Sequence, residues 1–234
     1  MISFPQETTV NKIIPKNKFY EKANISTKLK DSFINDIDKI VWSNKIAPST
    51  LKGISNNNSN IPEIEVFTIK LKNNDFDTKI LETIDESIQQ YIVFVLQYNN
   101  FLKIAIAFKE KDANFNNKIT IKKYFYTDWV EEPNLEICGN TITAIYENFI
   151  KQITTEFDEI DGEIDFKEQV ERTIKINKIN SEIAKLERKM RNEKQFDRKC
   201  EINRNIKILL KELENLKSKW NVGESRLKNW WTNR

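Results

Sequence analysis

Residues 91–108, YIVFVLQYNNFLKIAIAF, decide the fold of this chain. They form two apolar segments rich in β-branched and aromatic residues, 91–98 and 101–108, which are separated only by Asn99 and Asn100. Asparagine tolerates the left-handed backbone conformation that a two-residue hairpin turn requires. The stretch therefore predicts two antiparallel strands joined by a tight turn.

Two further strands are predicted on either side of this hairpin. Residues 63–72, EIEVFTIKLK, alternate between apolar and polar side chains, and residues 122–130, KKYFYTDWV, are rich in aromatic side chains. Both patterns are typical of strands. The first twenty residues contain Pro5, Pro15 and several lysines, and we expect them to form an arm outside the core.

Three helices are predicted from apolar residues that recur at spacings of three and four. The first starts at Ser26 or Thr27 and continues to Val41, the second follows Asp75 or Asp77, and the third follows Asn140. Strands and helices together predict an α+β domain over residues 1–160. Its sheet should be largely antiparallel, with about four strands flanked by helices.

The apolar pattern changes after an acidic connector at 157–165. Two heptad seams follow, formed by Ile176, Ile179, Ile183, Leu186 and Met190, and by Ile202, Ile206, Leu209, Leu213, Leu216 and Trp220. The two seams are out of phase, so one straight coiled coil cannot use both. Either the chain turns between Arg191 and Phe196, or one continuous helix changes partner and dimerises. We predict a turn, and hence an antiparallel helical hairpin over 161–222 with a Trp-containing tail at 223–234.

Composition excludes several classes of function. The chain of 234 residues has no His, which excludes His-based catalysis and His metal ligands. Four Gly form no phosphate-binding loop, and two Cys build neither a zinc site nor a disulfide framework. No apolar run is long enough to span a bilayer. We expect a cytoplasmic protein without a cofactor or a metal site, and we favour a binding protein over an enzyme.

The net charge of +3 hides an asymmetry. From Lys167 onward there are 19 Lys and Arg against 10 Asp and Glu, so residues 1–166 carry −6 and the rest +9. The predicted binding surface for nucleic acid or a partner consists of Lys185, Arg188, Lys189, Arg191, Lys194, Arg198, Lys199, Arg204 and Lys207, together with Trp230 and Trp231. A phosphate backbone would be attracted to such cations, but coiled coils are commonly charged on the outside. The two tryptophans either pack back on the protein or anchor a partner.

Two other sites remain open alternatives. Glu63 and Glu65 share one face of a predicted strand near Lys70 and Lys72, as a metal-dependent nuclease would require, although the usual order and spacing of such residues is not met. Alternation along the strand explains these charges as a solvated face. The aromatic run at 124–126 is explained as core packing or as a platform that stacks on unpaired bases.

Several segments together resemble the bacterial and archaeal family known as domain of unknown function 4391. They are 11–21 (NKIIPKNKFYE), 42–52 (WSNKIAPSTLK), 63–72, 126–130 (YTDWV), 146–153 (YENFIKQI) and 193–203 (EKQFDRKCEIN). The resemblance implies gene neighbours that encode helicases and DNA methyltransferases of restriction-modification-like or antiphage systems. It implies no catalytic residue. We therefore expect a non-enzymatic accessory subunit that is monomeric before it binds a helicase or methyltransferase of the same operon. A direct nucleic-acid-binding protein and a divergent metal-dependent nuclease are the alternatives.

Overall fold

Six strands lie side by side in chain order and form one sheet. They are β1 (Thr9–Ile14), β2 (Ile37–Ile46), β3 (Ile64–Leu71), β4 (Tyr91–Tyr98), β5 (Phe101–Asp112) and β6 (Lys118–Tyr126). Four of the five strand pairings are antiparallel, whereas β3 and β4 are parallel. The α+β class and the largely antiparallel sheet are confirmed, but the sheet has six strands and not about four.

The computed structural model describes residues 2, 4–21, 25–55, 60–112, 118–154 and 165–231, and for residues 112, 118 and 218–231 it describes the backbone alone. The chain divides into an N-terminal unit, residues 1–155, and a hairpin unit, residues 156–234. Most of the acidic connector at 157–165 and the side chains of the two terminal tryptophans lie outside the described residues. None of the described helices is long and apolar enough to cross a membrane.

The described part of the N-terminal unit contains four α-helices: α1 (Asn17–Tyr20), α2 (Thr27–Asp36), α3 (Lys79–Ile88) and α4 (Ile142–Ile153). The Ser26 hydroxyl accepts a hydrogen bond from the Leu29 amide and starts α2 as predicted. The cap of α4 is Thr141, one residue after the predicted Asn140. One core cluster joins the first three helices to the sheet through buried side chains such as Phe33, Ile80 and Phe94.

The central hairpin forms as its sequence predicts. Tyr98 pairs with Phe101 across an antiparallel ladder, and Asn99 adopts a left-handed conformation with φ of 51°. Asparagine is one of the few residues that occupy this conformation at low cost.

The predicted first helix is too long, because β2 begins where α2 ends. A bulge between Ile37 and Lys39 turns both Ile37 and Ile40 into the core, so residues three apart share one face of a strand. Apolar residues three positions apart are also typical of a helix, so the sequence pattern assigned this strand to the helix. The predicted N-terminal arm is also wrong, because β1 pairs with β2 as an edge strand whose side chains are mostly exposed.

The hairpin unit consists of α5 (Phe166–Asn192) and α6 (Phe196–Trp231), joined by a turn of three residues, 193–195. The turn lies between Arg191 and Phe196, as predicted. The two seams face each other, since Ile179 and Ile183 of α5 form one buried cluster with Ile202 and Ile206 of α6. The helices therefore bury their apolar faces against each other within one chain.

Candidate functional site

The cations of the predicted binding surface lie on the outside of the hairpin. The exposed ones are Lys185, Arg188, Lys189, Arg191, Lys194, Arg198, Arg204 and Lys207, while Lys199 is half-buried. They are outside because each helix turns its apolar seam toward the other helix. Trp230 and Trp231 fall within the last turn of α6, and their side chains are outside the described residues.

Three of the five cations that α6 contributes up to residue 211 form a stripe, whereas Arg198 and Lys199 lie outside it. Arg204, Lys207 and Lys211 follow one another at spacings of three and four, so they lie on one face of the helix. That face is opposite the buried Ile202 and Ile206. The stripe is therefore turned away from α5 and toward solvent.

Few negative charges balance this surface. Between residues 185 and 211 there are ten Lys and Arg and four Asp and Glu, a net charge of +6. Among the described side chains, none of these ten cations forms an ion pair with a carboxylate. Unpaired cations concentrated on one element attract polyanions, and salt weakens the attraction.

The turn of the hairpin is held by Glu193. One of its carboxylate oxygens, Oε1, accepts hydrogen bonds from the backbone amides of Gln195, at 3.0 Å, and of Lys194, at 2.8 Å. These two bonds lower the pKa of the Glu193 carboxyl. Phe196 follows the turn directly and begins α6 with 76% of its surface exposed. An exposed aromatic side chain thus begins α6 directly after the turn, in a segment where Lys194 and Arg198 alternate with Glu193 and Asp197.

A family model described as a domain of unknown function, DUF4391, matches residues 2–213. The chain belongs to the DUF4391 family. The match covers the whole described sheet and extends to Leu213 in the apolar seam of α6. Curated proteins gave no match, and neither did solved structures. The resemblance stated from the sequence motifs is confirmed.

The two carboxylates considered for a nuclease in this DUF4391 chain are engaged by neighbours on β2. Glu65 is buried and accepts a hydrogen bond from the indole Nε1 of Trp42 at 2.6 Å. Glu63 pairs with the Lys45 ammonium at 2.5 Å. Burial and the nearby Glu63 carboxylate raise the pKa of Glu65 to about 7. The two carboxylates share a face of the chain, as the alternation predicts, but Glu65 is buried and that face is not solvated there.

The lysines of that hypothesis lie elsewhere. Lys70 approaches Asp38 at 3.5 Å, and Lys72 donates to the Ile34 carbonyl, where it binds the last turn of α2. In the described part of the chain, no group of three or more Cys, Asp or Glu side chains is arranged to hold a metal ion. The structure does not bring the two carboxylates and the two lysines together.

A buried polar cluster that the sequence analysis missed joins α3 to β5 and β6. The Lys109 ammonium contacts the Asp85 carboxylate at 2.5 Å and the Gln90 carbonyl at 2.5 Å, and the Tyr124 hydroxyl donates to the other Asp85 oxygen. Both charged side chains are almost fully buried. Burial raises the pKa of Asp85 and lowers that of Lys109, and their mutual attraction opposes both shifts.

This cluster links α3 to β5 and β6 through hydrogen bonds between buried side chains. Both Asp85 oxygens have partners, and Lys109 also lies 5.9 Å from the centre of the Tyr91 ring. Asp85 lies within the apolar stripe of α3, between Ile84 and Ile88, and Lys109 directly follows the apolar run of β5. A charged residue within the apolar stripe of a helix and another at the end of an apolar strand are the sequence signals that could have found this pair.

The aromatic run of β6 divides between the two faces of the strand. Phe125 is fully buried, whereas Tyr124 and Tyr126 are half-buried and stack with ring centres 5.9 Å apart. The Lys103 ammonium lies over the rings of Tyr126 and Trp129, at 5.4 and 5.9 Å from their centres. Core packing accounts for Phe125, and contacts with neighbouring side chains engage the other rings.

Proposed function

We propose that this protein is a non-enzymatic accessory subunit of a DNA-targeting defence system, which contacts DNA through the cations of its α5–α6 hairpin. The observation that carries the proposal is that the hairpin satisfies its own apolar seams and leaves ten cations on its outer faces. The family resemblance supports the context, in which a helicase or DNA methyltransferase of the same operon is the partner. We place this assembly in the cytoplasm.

Charge supports DNA as the ligand of the hairpin. A net charge of +6 over residues 185–211 is concentrated at one end of an elongated element. Lys and Arg side chains that neutralise phosphates release counterions, which gives binding that is independent of sequence and sensitive to salt. By contrast, Glu65 and Glu63 are each bound to a neighbour on β2, which favours an accessory role over a metal-dependent nuclease.

The salt dependence of binding to duplex DNA tests the role of the hairpin. If the hairpin neutralises about five phosphates, log K should fall with log salt at a slope of about −4.5. The triple variant Arg188→Gln, Lys189→Gln, Arg191→Gln should make the slope shallower by about 2.7. Fluorescence anisotropy with a labelled duplex at several salt concentrations gives both slopes.

A matched control distinguishes the effect of removing hairpin cations from the effect of lowering the net charge of the whole protein. Lys12, Lys39 and Lys52 are exposed lysines of the N-terminal unit, and their replacement by Gln removes the same three charges. This control should leave the slope near its original value. Equal losses in the two triple variants would mean that the hairpin is not the contact surface.

Co-purification tests the partner. A tagged full chain should retain the helicase or methyltransferase of its operon at low salt. If it retains neither while it still binds DNA, the accessory role fails and direct nucleic-acid binding remains.

A further inference from the structure

The hairpin has two outer faces that point in opposite directions. Ile179 and Ile183 of α5 pack against Ile202 and Ile206 of α6, which fixes the side that each helix turns toward the other. A side chain on the far side of α5 therefore points away from α6, and a side chain on the far side of α6 points away from α5.

Three lysine and arginine side chains form the outer face of α5. An α-helix turns by about 100° per residue, so Lys178, Lys185 and Arg188 lie about 140–160° around the helix from the buried Ile183. All three side chains are exposed. The carboxylate nearest to Arg188 in the sequence belongs to Glu187, which lies only about 40° from Ile183 and so on the seam side of the helix.

Three further cations form the outer face of α6. Arg204, Lys207 and Lys211 lie about 100–160° around the helix from the buried Ile206, and all three are exposed. Residues 202–211 contain no Asp or Glu. The positive charge of this stretch is therefore not diluted within it.

Each outer face is a separate site for phosphates. Among the described side chains, none of these six cations is ion-paired with a carboxylate. Rows of unpaired Lys and Arg attract the phosphate backbone of DNA, and the attraction needs no particular base sequence. The charge of the two faces is thus complementary to the same ligand.

One duplex cannot reach both outer faces. The axes of two packed helices lie 8–10 Å apart and each helix is about 10–12 Å across, so the outer faces are about 20 Å apart. The persistence length of DNA is about 150 bp, so a duplex stays nearly straight over this distance and does not bend around the hairpin. A duplex held against one outer face leaves the other face free.

We propose that the hairpin bridges two DNA duplexes, one held against the outer face of α5 and the other against the outer face of α6. This inference rests on the proposed DNA contact of the hairpin and adds its stoichiometry, two duplex segments for one chain. A second segment held next to the first has a high effective concentration there. A partner enzyme bound to one segment is thereby kept close to the other.

A capture assay with the full chain at low salt tests the proposal. One duplex is attached to beads, and a fluorescently labelled second duplex is free in solution. Wild-type protein should retain the labelled duplex on the beads, and excess protein should abolish the retention because each duplex then carries its own protein. Sedimentation velocity with a short duplex should show a complex of one chain with two duplexes.

Two triple variants each remove one outer face. The α6 variant is Arg204→Gln, Lys207→Gln, Lys211→Gln. The α5 variant is Lys178→Gln, Lys185→Gln, Arg188→Gln. Each should still bind one duplex through the remaining face, and retention of the second duplex should fall at least about tenfold because three phosphate contacts are lost. Gln has nearly the helix propensity of Lys and Arg, and circular dichroism verifies that both variants keep the helices.

A third variant controls for net charge. Replacement of Lys12, Lys39 and Lys52 by Gln removes three exposed cations of the N-terminal unit, and this protein should capture the second duplex like the wild type. Equal loss of capture in this control would overturn the assignment of bridging to the outer faces.

The outcomes separate bridging from the proposed function. Binding of one duplex without capture of a second overturns bridging and leaves the DNA contact of the hairpin standing. Bridging is also overturned if one triple variant loses all DNA binding while the other binds normally, or if the captured complex contains two chains. Absence of binding to any DNA overturns both proposals.

Discussion

Replacement of Glu65 by Gln should stabilise the protein at alkaline pH and have little effect at pH 5. Glu65 is buried beside Trp42, and burial together with the Glu63 carboxylate raises its pKa from 4.5 to about 7. Gln keeps the side-chain length and an oxygen that accepts the Trp42 indole bond, but it cannot ionise. The variant therefore removes one titration and preserves the hydrogen bond.

The direction in which pH changes the free energy of unfolding follows from proton binding to Glu65. Between about pH 4.5 and 7 the folded protein holds a proton on Glu65 that the unfolded chain has lost, so the free energy of unfolding falls as the pH rises through this window. The stabilisation that comes from this proton is fully present below the pKa of Glu65 in the unfolded chain and is lost above its pKa in the folded protein. One pKa unit corresponds to about 1.4 kcal/mol, so the wild type should lose about 2–3 kcal/mol relative to Glu65→Gln between pH 5 and pH 8.5.

Urea unfolding followed by Trp fluorescence at pH 5, 6, 7 and 8.5 measures this difference. Titrating groups that do not interact with Glu65 affect both proteins alike and cancel in the comparison, whereas Glu63, which does interact with it, contributes to the measured difference. Glu7→Gln, which changes an exposed carboxylate of the same unit, is the control and should follow the wild type at every pH. Parallel curves for wild type and Glu65→Gln would refute the reasoning. A variant that is less stable than wild type at pH 8.5 would mean that the ionised Glu65 is stabilised by Lys45.

Three further outcomes follow from the packing. Lys109→Met should lower the free energy of unfolding by about 3–5 kcal/mol because it leaves the Asp85 carboxylate buried without its cation. A double-mutant cycle with Asp85→Leu should show strong coupling between the two residues. Additive losses in the cycle would contradict an energetic interaction between Lys109 and Asp85. Ile206→Ala should cost about 2–4 kcal/mol in the hairpin by circular dichroism, whereas Ile208→Ala on the exposed face should change stability by less than about 0.5. Light scattering should give a monomer, and a dimer that dissociates when residues after Asp165 are deleted would show that the seams need a second chain.

The sequence predicted elements whose signal is local and missed those that tertiary context decides. The hairpin around Asn99 and the two seams carry complete periodic patterns, and both form where expected. β2 was assigned to a helix because the bulge after Ile37 gives a strand the spacing of a helix turn. β1 was missed because an edge strand needs few apolar residues, and its stability comes from pairing with a strand that was itself assigned wrongly.

Side-chain chemistry shows the same division. The exposure of the hairpin cations follows from the seam alone, since an outer position of a coiled coil faces solvent whatever its neighbours are. The pairing of Lys109 with Asp85 joins residues 24 positions apart on a helix and a strand. No periodicity relates these two positions, because their contact depends on how α3 crosses between parallel strands. The Trp42 bond to Glu65 likewise depends on the register of β2 against β3.

The agreement between strand order and chain order has a consequence for synthesis on the ribosome. Each strand from β2 onward pairs with the strand made just before it. The sheet can therefore grow by one strand at a time as the nascent chain emerges, and no strand waits with both edges unpaired for a distant partner. Every pairing joins strands that are neighbours in the sequence, with at most 22 residues between them, which keeps the contact order of the sheet low and favours rapid formation. All six strands lie within the first 126 residues, so the sheet can be complete before the ribosome has translated the basic hairpin.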